Sequence, residues 1–237
     1  MKQLLTTILA ATLMFTASAQ KVINDPNVEV RSVGSFTALD VSHAFEVIIT
    51  QGNEETVAVS SNIEGDNKNI ITETKNGRLK ISYQQQGKRW YKNHRLKAYV
   101  SVKNIEGIKG SGATKFIIEG TLAATKLNID LSGATDMKGK VTVNQELQLN
   151  LSGASDVTLT GAAGSIAIDA SGASDVKAFD LTAGNCNIKA SGACNIRISA
   201  EKEISAQLSG ASNVQYQGSA MIRDIKTSGA SNISRKS

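Results

Sequence analysis

The sequence predicts an all-β protein folded as a parallel β-helix, a solenoid of about eight coils of roughly 20 residues each. The tripeptide Ser-Gly-Ala recurs seven times after residue 105, at intervals of 18 to 21 residues. The residues before each serine alternate between apolar and polar, which is the period of a strand with one buried face. A glycine inside every motif indicates a tightly turning backbone that a helical repeat would not need. The motifs begin at Ser111, Ser132, Ser152, Ser171, Ser191, Ser209 and Ser228.

The first 19 residues predict a secretory signal peptide. Lys2 precedes an apolar run from Leu4 to Phe15, and Ala17-Ser18-Ala19 supplies the small residues of a cleavage site. No later segment contains the roughly 20 consecutive apolar residues that a membrane-spanning helix needs. We therefore expect an exported protein without a membrane span, located in the periplasm, on the outer cell surface or in the medium.

Residues 20–34 are expected to form an N-terminal extension, and residues 35–237 a single β-helix domain. Within residues 35–105, Ser42-His43-Ala44 resembles a Ser-Gly-Ala corner in which histidine replaces glycine, so this segment predicts a first coil. Asn76-Gly77 lies between two alternating runs and predicts a β-hairpin in an N-terminal cap. Leu96 to Val102 predicts a strand that leads into the seven repeats of residues 106–237. No cap is evident after Ile233, and such an open end favours pairing with a second subunit.

Composition and charge exclude several classes of protein. The chain is 41% hydrophobic, which excludes disorder, and its two cysteines exclude a disulfide-stapled mini-protein. A net charge of +5 is too mild to indicate nucleic-acid binding. Cys186 aligns with the inward apolar positions and Cys194 with a row of hydroxyl residues. Because these placements are opposite, we expect a small core cysteine at 186 and no disulfide.

The residues also resemble a known family. The similarity runs from about Phe36 to Ile233 and rests on four features: Phe36-Thr-Ala-Leu-Asp-Val-Ser-His-Ala-Phe-Glu-Val47, Thr50-Gln-Gly52, Lys75-Asn-Gly-Arg-Leu-Lys-Ile81, and the series Ser-Gly-Ala-Ser-Asp/Asn-Val/Ile. Together they are similar to the auto-transporter adhesin head domains, also called head GIN domains. This resemblance implies an exported right-handed parallel β-helix, pectin-lyase-like in shape, without a recognised catalytic centre and with a role in adhesion or binding. His43 departs from the glycine that is usual in the family.

The position four residues after each serine predicts a column of polar side chains. If the coils stack in register, carboxylates and amides lie one above another and present a linear face to glycan hydroxyls or to Ca²⁺, an ion that binds oxygen ligands. The alternative is a structural ladder in which each side chain bonds to its own turn. We call the following six residues the Asp/Asn column: Asp136, Asp156, Asp175, Asn195, Asn213 and Asn232.

A second candidate is the basic aromatic segment from Lys88 to Lys97, which contains the only tryptophan of the chain. Trp90 and Tyr91 would stack on a sugar ring, and Arg89 with its neighbouring cations would meet acidic groups. The alternative is a solvated loop whose tryptophan covers the end of the core.

Neither candidate predicts catalysis. Neighbouring aspartates of the column approach the roughly 5 Å separation of a retaining glycosidase, but near-identical repeats do not create the unequal environments that separate acid from base. His43 and His94 fall in no triad or metal motif. We therefore expect a non-catalytic binding or adhesion protein, without a cofactor, that recognises a glycan or a cell-surface or matrix protein. Two alternatives stay open: a structural envelope protein that self-associates at its uncapped end, and a polysaccharide lyase or glycoside hydrolase.

Overall fold

The computed structural model describes residues 25–84 and 93–236, and they form one sheet of 16 strands with a single 3₁₀ turn at Asp66–Asn69. The predicted signal peptide lies outside the described residues. The strands are β1 (Glu29–Arg31), β2 (Ala38–Val41), β3 (Phe45–Gln51), β4 (Thr56–Ser61), β5 (Ile70–Lys75), β6 (Arg78–Tyr83), β7 (Leu96–Val102), β8 (Gly107–Gly110), β9 (Lys115–Leu131), β10 (Asp136–Leu151), β11 (Asp156–Ala170), β12 (Asp175–Ala190), β13 (Asn195–Leu208), β14 (Asn213–Gln217), β15 (Met221–Thr227) and β16 (Asn232–Arg235). No described helix is long and apolar enough to cross a membrane.

The predicted parallel β-helix is confirmed. Strands β9 to β13 each cover most of one coil and pair in parallel with the next, so that Leu127, Leu147 and Ile166 lie side by side in the register. The solenoid has about six turns, slightly fewer than the eight predicted, because the last repeats hold only the short strands β14, β15 and β16. The alternating apolar residues form one continuous core along the axis. Stacked coils therefore bury one face of every strand and leave the other to solvent.

Each Ser-Gly-Ala motif forms a corner in which the glycine is left-handed. Gly133, for example, has a φ of 81°, and a Cβ atom added to it would lie 2.5 Å from the carbonyl oxygen of Gly112 in the coil before. The amide of Ala134 donates to that same carbonyl at 2.7 Å. The motif glycines thus serve both a left-handed turn and a close approach between coils.

One prediction about the corner is wrong. The small apolar alanine of each motif predicts an inward position, but all seven alanines are exposed, and in the first six motifs the next residue faces inward instead, as Thr135 does after Ala134. The left-handed glycine turns the chain so that glycine and alanine both lie on the outside of the corner. Thr135 lies four residues after the inward Leu131, so the two-residue alternation continues through the corner and only the glycine departs from it.

The N-terminal coils stack in a different order from the chain. The predicted hairpin is confirmed as β5 and β6, joined by Asn76 and Gly77 with φ values of 51° and 71°. However, β2 lies between β6 and β8, and β3 lies between β7 and β9. The predicted strand Leu96–Val102 therefore exists as β7 but packs outside β3, not directly against the repeats. Antiparallel strands β1, β4 and β5 end the parallel stacking here.

The opposite end is formed by β15 and β16. Among the described residues no strand pairs with their outer edges. Ile222 aligns with the buried Ile204 of the preceding coil, yet it is 55% exposed, and the neighbouring Met221 is 71% exposed. The last described coil therefore leaves apolar side chains and strand edges uncovered, a feature that favours association.

Candidate binding surface

The Asp/Asn column exists as a continuous row. Its six members are paired directly from coil to coil, Asp136 with Asp156, then Asp175, Asn195, Asn213 and Asn232. Neighbouring side chains are thus one strand spacing apart, about 4.8 Å. All are exposed except Asp175, which is half-buried. The parallel register sets this arrangement, since each residue occupies the same place after its corner.

Cations lie beside the carboxylates of the column. Two residues further along the strands, Lys138, Lys177 and Arg197 occupy a second outward position, and the Nζ atom of Lys177 lies 3.2 Å from Oδ2 of Asp175. These charges offset the repulsion that stacked aspartates exert on one another. The face therefore presents both donors and acceptors. Within the described chain the carboxylates of Asp136 and Asp156 make no hydrogen bond or ion pair.

A different set of residues bonds to the corners. In the first six motifs the residue that follows the alanine is buried, and its side chain donates to the carbonyl of the motif serine: Oγ1 of Thr135 lies 2.7 Å from the Ser132 oxygen, and Oγ of Ser155 lies 2.9 Å from the Ser152 oxygen. We call this row the hydroxyl column: Thr114, Thr135, Ser155, Ser174, Cys194 and Ser212. The hydroxyl column therefore has a structural role at the corners. The side chains of the Asp/Asn column are not needed for these corner hydrogen bonds.

The oxygens of the Asp/Asn column do not form a metal site. In residues 25–84 and 93–236 no three histidine, cysteine, aspartate or glutamate side chains group closely enough to hold a metal ion. Calcium requires about six to eight oxygens. Asp175 already forms an ion pair with Lys177, and the members of the column after Asp175 carry uncharged amides instead of carboxylates. The calcium hypothesis therefore gains no support from the donor set.

A groove that the sequence analysis missed runs on the other side of the corners. It consists of two open depressions of about 360 and 330 Å³. The first is lined by Asp169, Lys189, Gln207 and Lys226 with the motif serines Ser191, Ser209 and Ser228, and the second by Lys109, Asp130, Asn150 and Asp169 with Ser132, Ser152 and Ser171. Because Asp169 lines both depressions, they form one feature, which we call the corner groove. The signal in the sequence was the polar residue two positions before each motif serine.

The basic aromatic segment is an insertion at one corner. Strand β6 pairs with β2, and β7 pairs with β3; residues 84–95 connect β6 to β7, whereas three residues, Ser42-His43-Ala44, connect β2 to β3 in the neighbouring coil. Arg89, Trp90 and Tyr91 lie outside the described residues. The described part of the segment, residues 93–97, leads into β7 at the N-terminal end of the solenoid.

The two cysteines are both free and buried, as expected for a chain without a disulfide. The reason differs in part from the prediction, because the hydroxyl column faces inward and Cys194 lies in the core as Cys186 does. The Sγ atom of Cys194 is 3.3 Å from the Ser191 carbonyl oxygen, the same contact that the hydroxyl groups of this column make with their own motif serines. Burial raises the pKa of Cys186 to about 12.

Comparison with known proteins agrees with this architecture. Residues 35–220 match a family model described as "Putative auto-transporter adhesin, head GIN domain". The chain belongs to this family. A comparison with curated protein sequences found no match.

Solved structures share the fold of this head GIN domain. A "putative adhesin" from Bacteroides fragilis has 21% identity and a TM-score of 0.80, with 90% of this chain and 98% of that chain covered. A "putative lipid binding protein" from Parabacteroides distasonis has 17% identity, a TM-score of 0.66 and the same coverage. A "putative adhesin" from Parabacteroides merdae has 15% identity and a TM-score of 0.66, covering 89% of this chain and 96% of that chain.

This head GIN domain also brings together a serine, a histidine and an aspartate that the sequence analysis did not connect. Nε2 of His94 lies 2.8 Å from Oδ2 of Asp66 and 3.2 Å from Oγ of Ser61. Both partners therefore share one ring nitrogen, whereas a catalytic relay needs the acid and the nucleophile on different nitrogens. Ser61 is fully buried, so no substrate reaches it.

The group has a structural role at the N-terminal end. Asp66 accepts further hydrogen bonds from Tyr83, at 3.0 Å, and from Asn69, at 2.8 Å. Burial by itself raises the pKa of the Asp66 carboxyl, but the hydrogen bonds to its oxygens outweigh burial, and the pKa lies below its ordinary value. An ionised carboxylate thus ties the 3₁₀ turn to Ser61 of β4 and to His94, two residues before β7.

Proposed function

We propose that this protein is a non-catalytic adhesion protein that binds a glycan, or another component of a cell surface or matrix, through the Asp/Asn column. The observation that supports this best is the coil-to-coil pairing of six acceptor side chains in one outward row. The adhesin description of the family and of two structural neighbours supports an adhesive role.

The chemistry of the row suits sugar hydroxyls. Carboxylates accept hydrogen bonds from hydroxyls, amides both accept and donate, and the neighbouring ammonium and guanidinium groups donate. A row repeated at about 4.8 Å offers the same contacts again and again. A ligand that repeats along its length gains from such a row more than a small molecule does, because many weak contacts add.

The same geometry gives little support to catalysis. Asp136, Asp156 and Asp175 lie on an outward strand face, and the described grooves are lined by other residues. A glycosidase encloses the scissile bond between unequal carboxyl groups. The Asp/Asn column lies on an open surface and does not enclose a ligand. Ser61 is buried and cannot serve as a nucleophile.

Lipid binding, the description of one neighbour, also finds little support here. The described residues expose few large apolar side chains, namely Val30, Ile71, Met221 and Ile222. They do not line the corner groove. Membrane-surface and lipid sites need a sizeable apolar face.

We infer export from the signal-peptide pattern of residues 1–19, and an adhesive protein must be reachable from outside the cell. Protease treatment of intact cells tests this directly. Digestion of the protein on intact cells supports a surface location, whereas protection until the outer membrane is opened would place it in the periplasm and count against adhesion.

Purified residues 20–237 should be screened against immobilised glycans and matrix proteins, with and without Ca²⁺. We expect Asp156→Ala with Asp175→Ala to weaken binding about tenfold, as the loss of charged contacts at an open surface does. Glu146→Ala with Asp180→Ala removes the same charge from exposed sites outside the column and should not change binding. A Trp90→Ala variant tests the basic aromatic segment. Equal binding by the column variant and its control would refute the proposed role of the column.

A second candidate, a structural envelope role, is favoured by the uncovered end at β15 and β16. The exposed Met221 and Ile222 lie on an edge strand. Sedimentation velocity over a wide concentration range tests whether copies associate there. Association that is lost in Ile222→Lys but kept in Val30→Lys, an even more exposed apolar site at the other end, would support it; a strict monomer would refute it.

A further inference from the structure

We propose that the corner groove is the binding cleft for a neutral, linear glycan that lies along the solenoid axis. This inference rests on the proposed adhesive function and names a second contact face and a ligand class for it. The structural basis is that one groove runs from Lys109 to Lys226, past six of the seven motif serines, with a polar residue from each of the seven coils in its lining.

The dimensions of the groove suit an extended polymer. Seven corners stacked at about 4.8 Å give a length of roughly 30 Å. Small-molecule sites usually enclose most of the ligand surface, whereas both depressions here are open along one side. A chain laid across successive coils would meet each depression in turn, with one corner for each step.

The charges of the groove nearly cancel. Lys109, Lys189 and Lys226 carry positive charge and Asp130 and Asp169 negative charge, so the lining has a net charge of only about +1. A polyanion needs an excess of cations along its path. Alternating ammonium, carboxylate and amide groups instead supply donors and acceptors for uncharged hydroxyls. A neutral polymer therefore fits better than a uronic-acid or nucleic-acid chain.

The groups available for a ligand concentrate in the C-terminal half. Asp130 already accepts hydrogen bonds from Asn128, at 2.9 Å, and from Asn150, at 2.6 Å. By contrast, in the described chain the hydroxyls of Ser191, Ser209 and Ser228 and the ammonium of Lys189 make no hydrogen bond or ion pair. Unused polar groups that share a concave surface can bond to a ligand without first losing an internal contact.

The hydroxyl rows on the two sides of the corner thus have different tasks. The hydroxyl column faces inward and bonds to the corner backbone, while Ser191 and Ser209 face the groove. In the N-terminal half of the groove Ser132 and Ser171 also donate to backbone carbonyls of the coil before, each at 3.3 Å, so the unused serine hydroxyls lie mainly in the C-terminal half.

The test measures binding of residues 20–237 to neutral linear glucans, mannans and galactans and to uronic-acid polymers. We expect Lys189→Ala with Gln207→Ala to weaken binding of a neutral polymer about tenfold. Gln207→Trp, which places a bulky ring in the groove from an exposed position, should weaken it as well. Lys140→Ala with Gln145→Ala changes the same residue types at exposed sites outside the groove and should bind like the wild type.

Ionic strength separates the ligand classes. From about 0.01 to 1 M salt the Debye length falls from about 30 to 3 Å, so binding of a polyanion would weaken steeply and binding of a neutral glycan would change little. Binding of uronic-acid polymers alone, with a steep salt dependence, would overturn the inference.

Two further outcomes distinguish this inference from the proposed function. If neutral glycans bind, the groove variants bind like the wild type and the Asp156→Ala, Asp175→Ala variant does not, the groove inference is wrong and the proposed function stands. If no glycan binds but a matrix protein does through the Asp/Asn column, glycan recognition fails and adhesion stands. Loss of glycan binding in the groove variants alone supports the inference.

Discussion

His43 lies directly beneath Gly112 in the row of left-handed corner residues. The φ of His43 is 79° and that of Gly112 is 81°, and a Cβ atom on Gly112 would lie 3.1 Å from the amide nitrogen of His43. Gly112 must therefore lack a side chain, because the corner below it is close. His43 carries a side chain at the same left-handed φ, and its Nδ1 atom accepts a hydrogen bond from the Tyr83 amide of the neighbouring coil at 3.5 Å.

This relationship predicts that the loss of stability caused by a glycine-to-alanine substitution depends on how closely the neighbouring coil approaches that glycine. Gly153→Ala combines a left-handed φ of 77° with a Cβ atom 2.6 Å from the Gly133 carbonyl oxygen. We expect it to lower the free energy of unfolding by about 3 kcal/mol, as the sum of backbone strain and overpacking. Gly65→Ala has a φ of 72° but no atom within 4 Å, so only the strain of about 1 kcal/mol applies.

Urea unfolding of both variants checks this difference. His43→Gly should lie within about 1 kcal/mol of the wild type, because relief of the left-handed strain offsets the loss of the contacts that Nδ1 of His43 makes with the Tyr83 amide and the Ser42 hydroxyl. Equal losses for Gly153→Ala and Gly65→Ala would show that close approach between coils contributes nothing.

The hydroxyl column predicts a pair of opposite effects. Thr135 is fully buried and donates to the Ser132 carbonyl at 2.7 Å, so Thr135→Val keeps the volume, loses the bond and should cost about 1 to 2 kcal/mol. Cys194→Ser replaces a weak thiol donor by a hydroxyl at an equivalent place and should leave stability unchanged or raise it by up to about 1 kcal/mol. Thermal unfolding checks both, and a destabilised Cys194→Ser would argue against a structural hydroxyl at this position.

Much of this architecture follows from the repeats. The constant spacing from motif serine to Asp136, Asp156 and Asp175 predicts their coil-to-coil pairing, since residues at the same place in a repeat must stack when the repeats stack. The apolar alternation likewise predicts which strand face is buried. These features depend on local pattern alone.

Other features depend on contacts that no local pattern encodes. The coil made by β6 and β7 packs outside β2 and β3 although it follows them in the chain, because long-range pairing decides the order. The corner groove arises where successive bends line up, so single polar residues such as Lys189 do not reveal it in the sequence.

Burial of Cys186 predicts a loss of stability at high pH. Its pKa is raised from 9.0 to about 12 in the folded protein. Between these values the unfolded chain releases the thiol proton and the folded chain keeps it, so the free energy of unfolding falls by about 1.4 kcal/mol per pH unit. Below pH 9 this effect is absent. Denaturant unfolding from pH 8 to 11 measures the slope.

The contribution of the thiol is isolated by comparing variants. Cys186→Ala should show a shallower slope than the wild type, although its stability at pH 8 is slightly lower for loss of packing. Cys194→Ser retains Cys186 and should retain the slope. The same slope in all three proteins would show that the thiol proton is not linked to folding.

Asp66 predicts a loss of stability at low pH. Because its folded pKa lies below the ordinary value of 3.8, its contribution is present above about pH 4 and disappears as the pH falls through the folded pKa. Asp66→Asn should remove this acid dependence and lower the free energy of unfolding at neutral pH by about 2 kcal/mol, since an amide cannot accept from all the donors around it. Asp180→Asn, at an exposed site, should stay within about 0.5 kcal/mol of the wild type.

Local unfolding should follow from the same change, because Asp66 ties the 3₁₀ turn and Ser61 to His94, just before β7. In amide hydrogen exchange, Asp66→Asn should speed exchange in β4 and β5 and leave β10 to β12 unchanged, since coils of a solenoid contact mainly their neighbours. Faster exchange along the whole solenoid would mean that the N-terminal end and the repeats unfold as one cooperative unit.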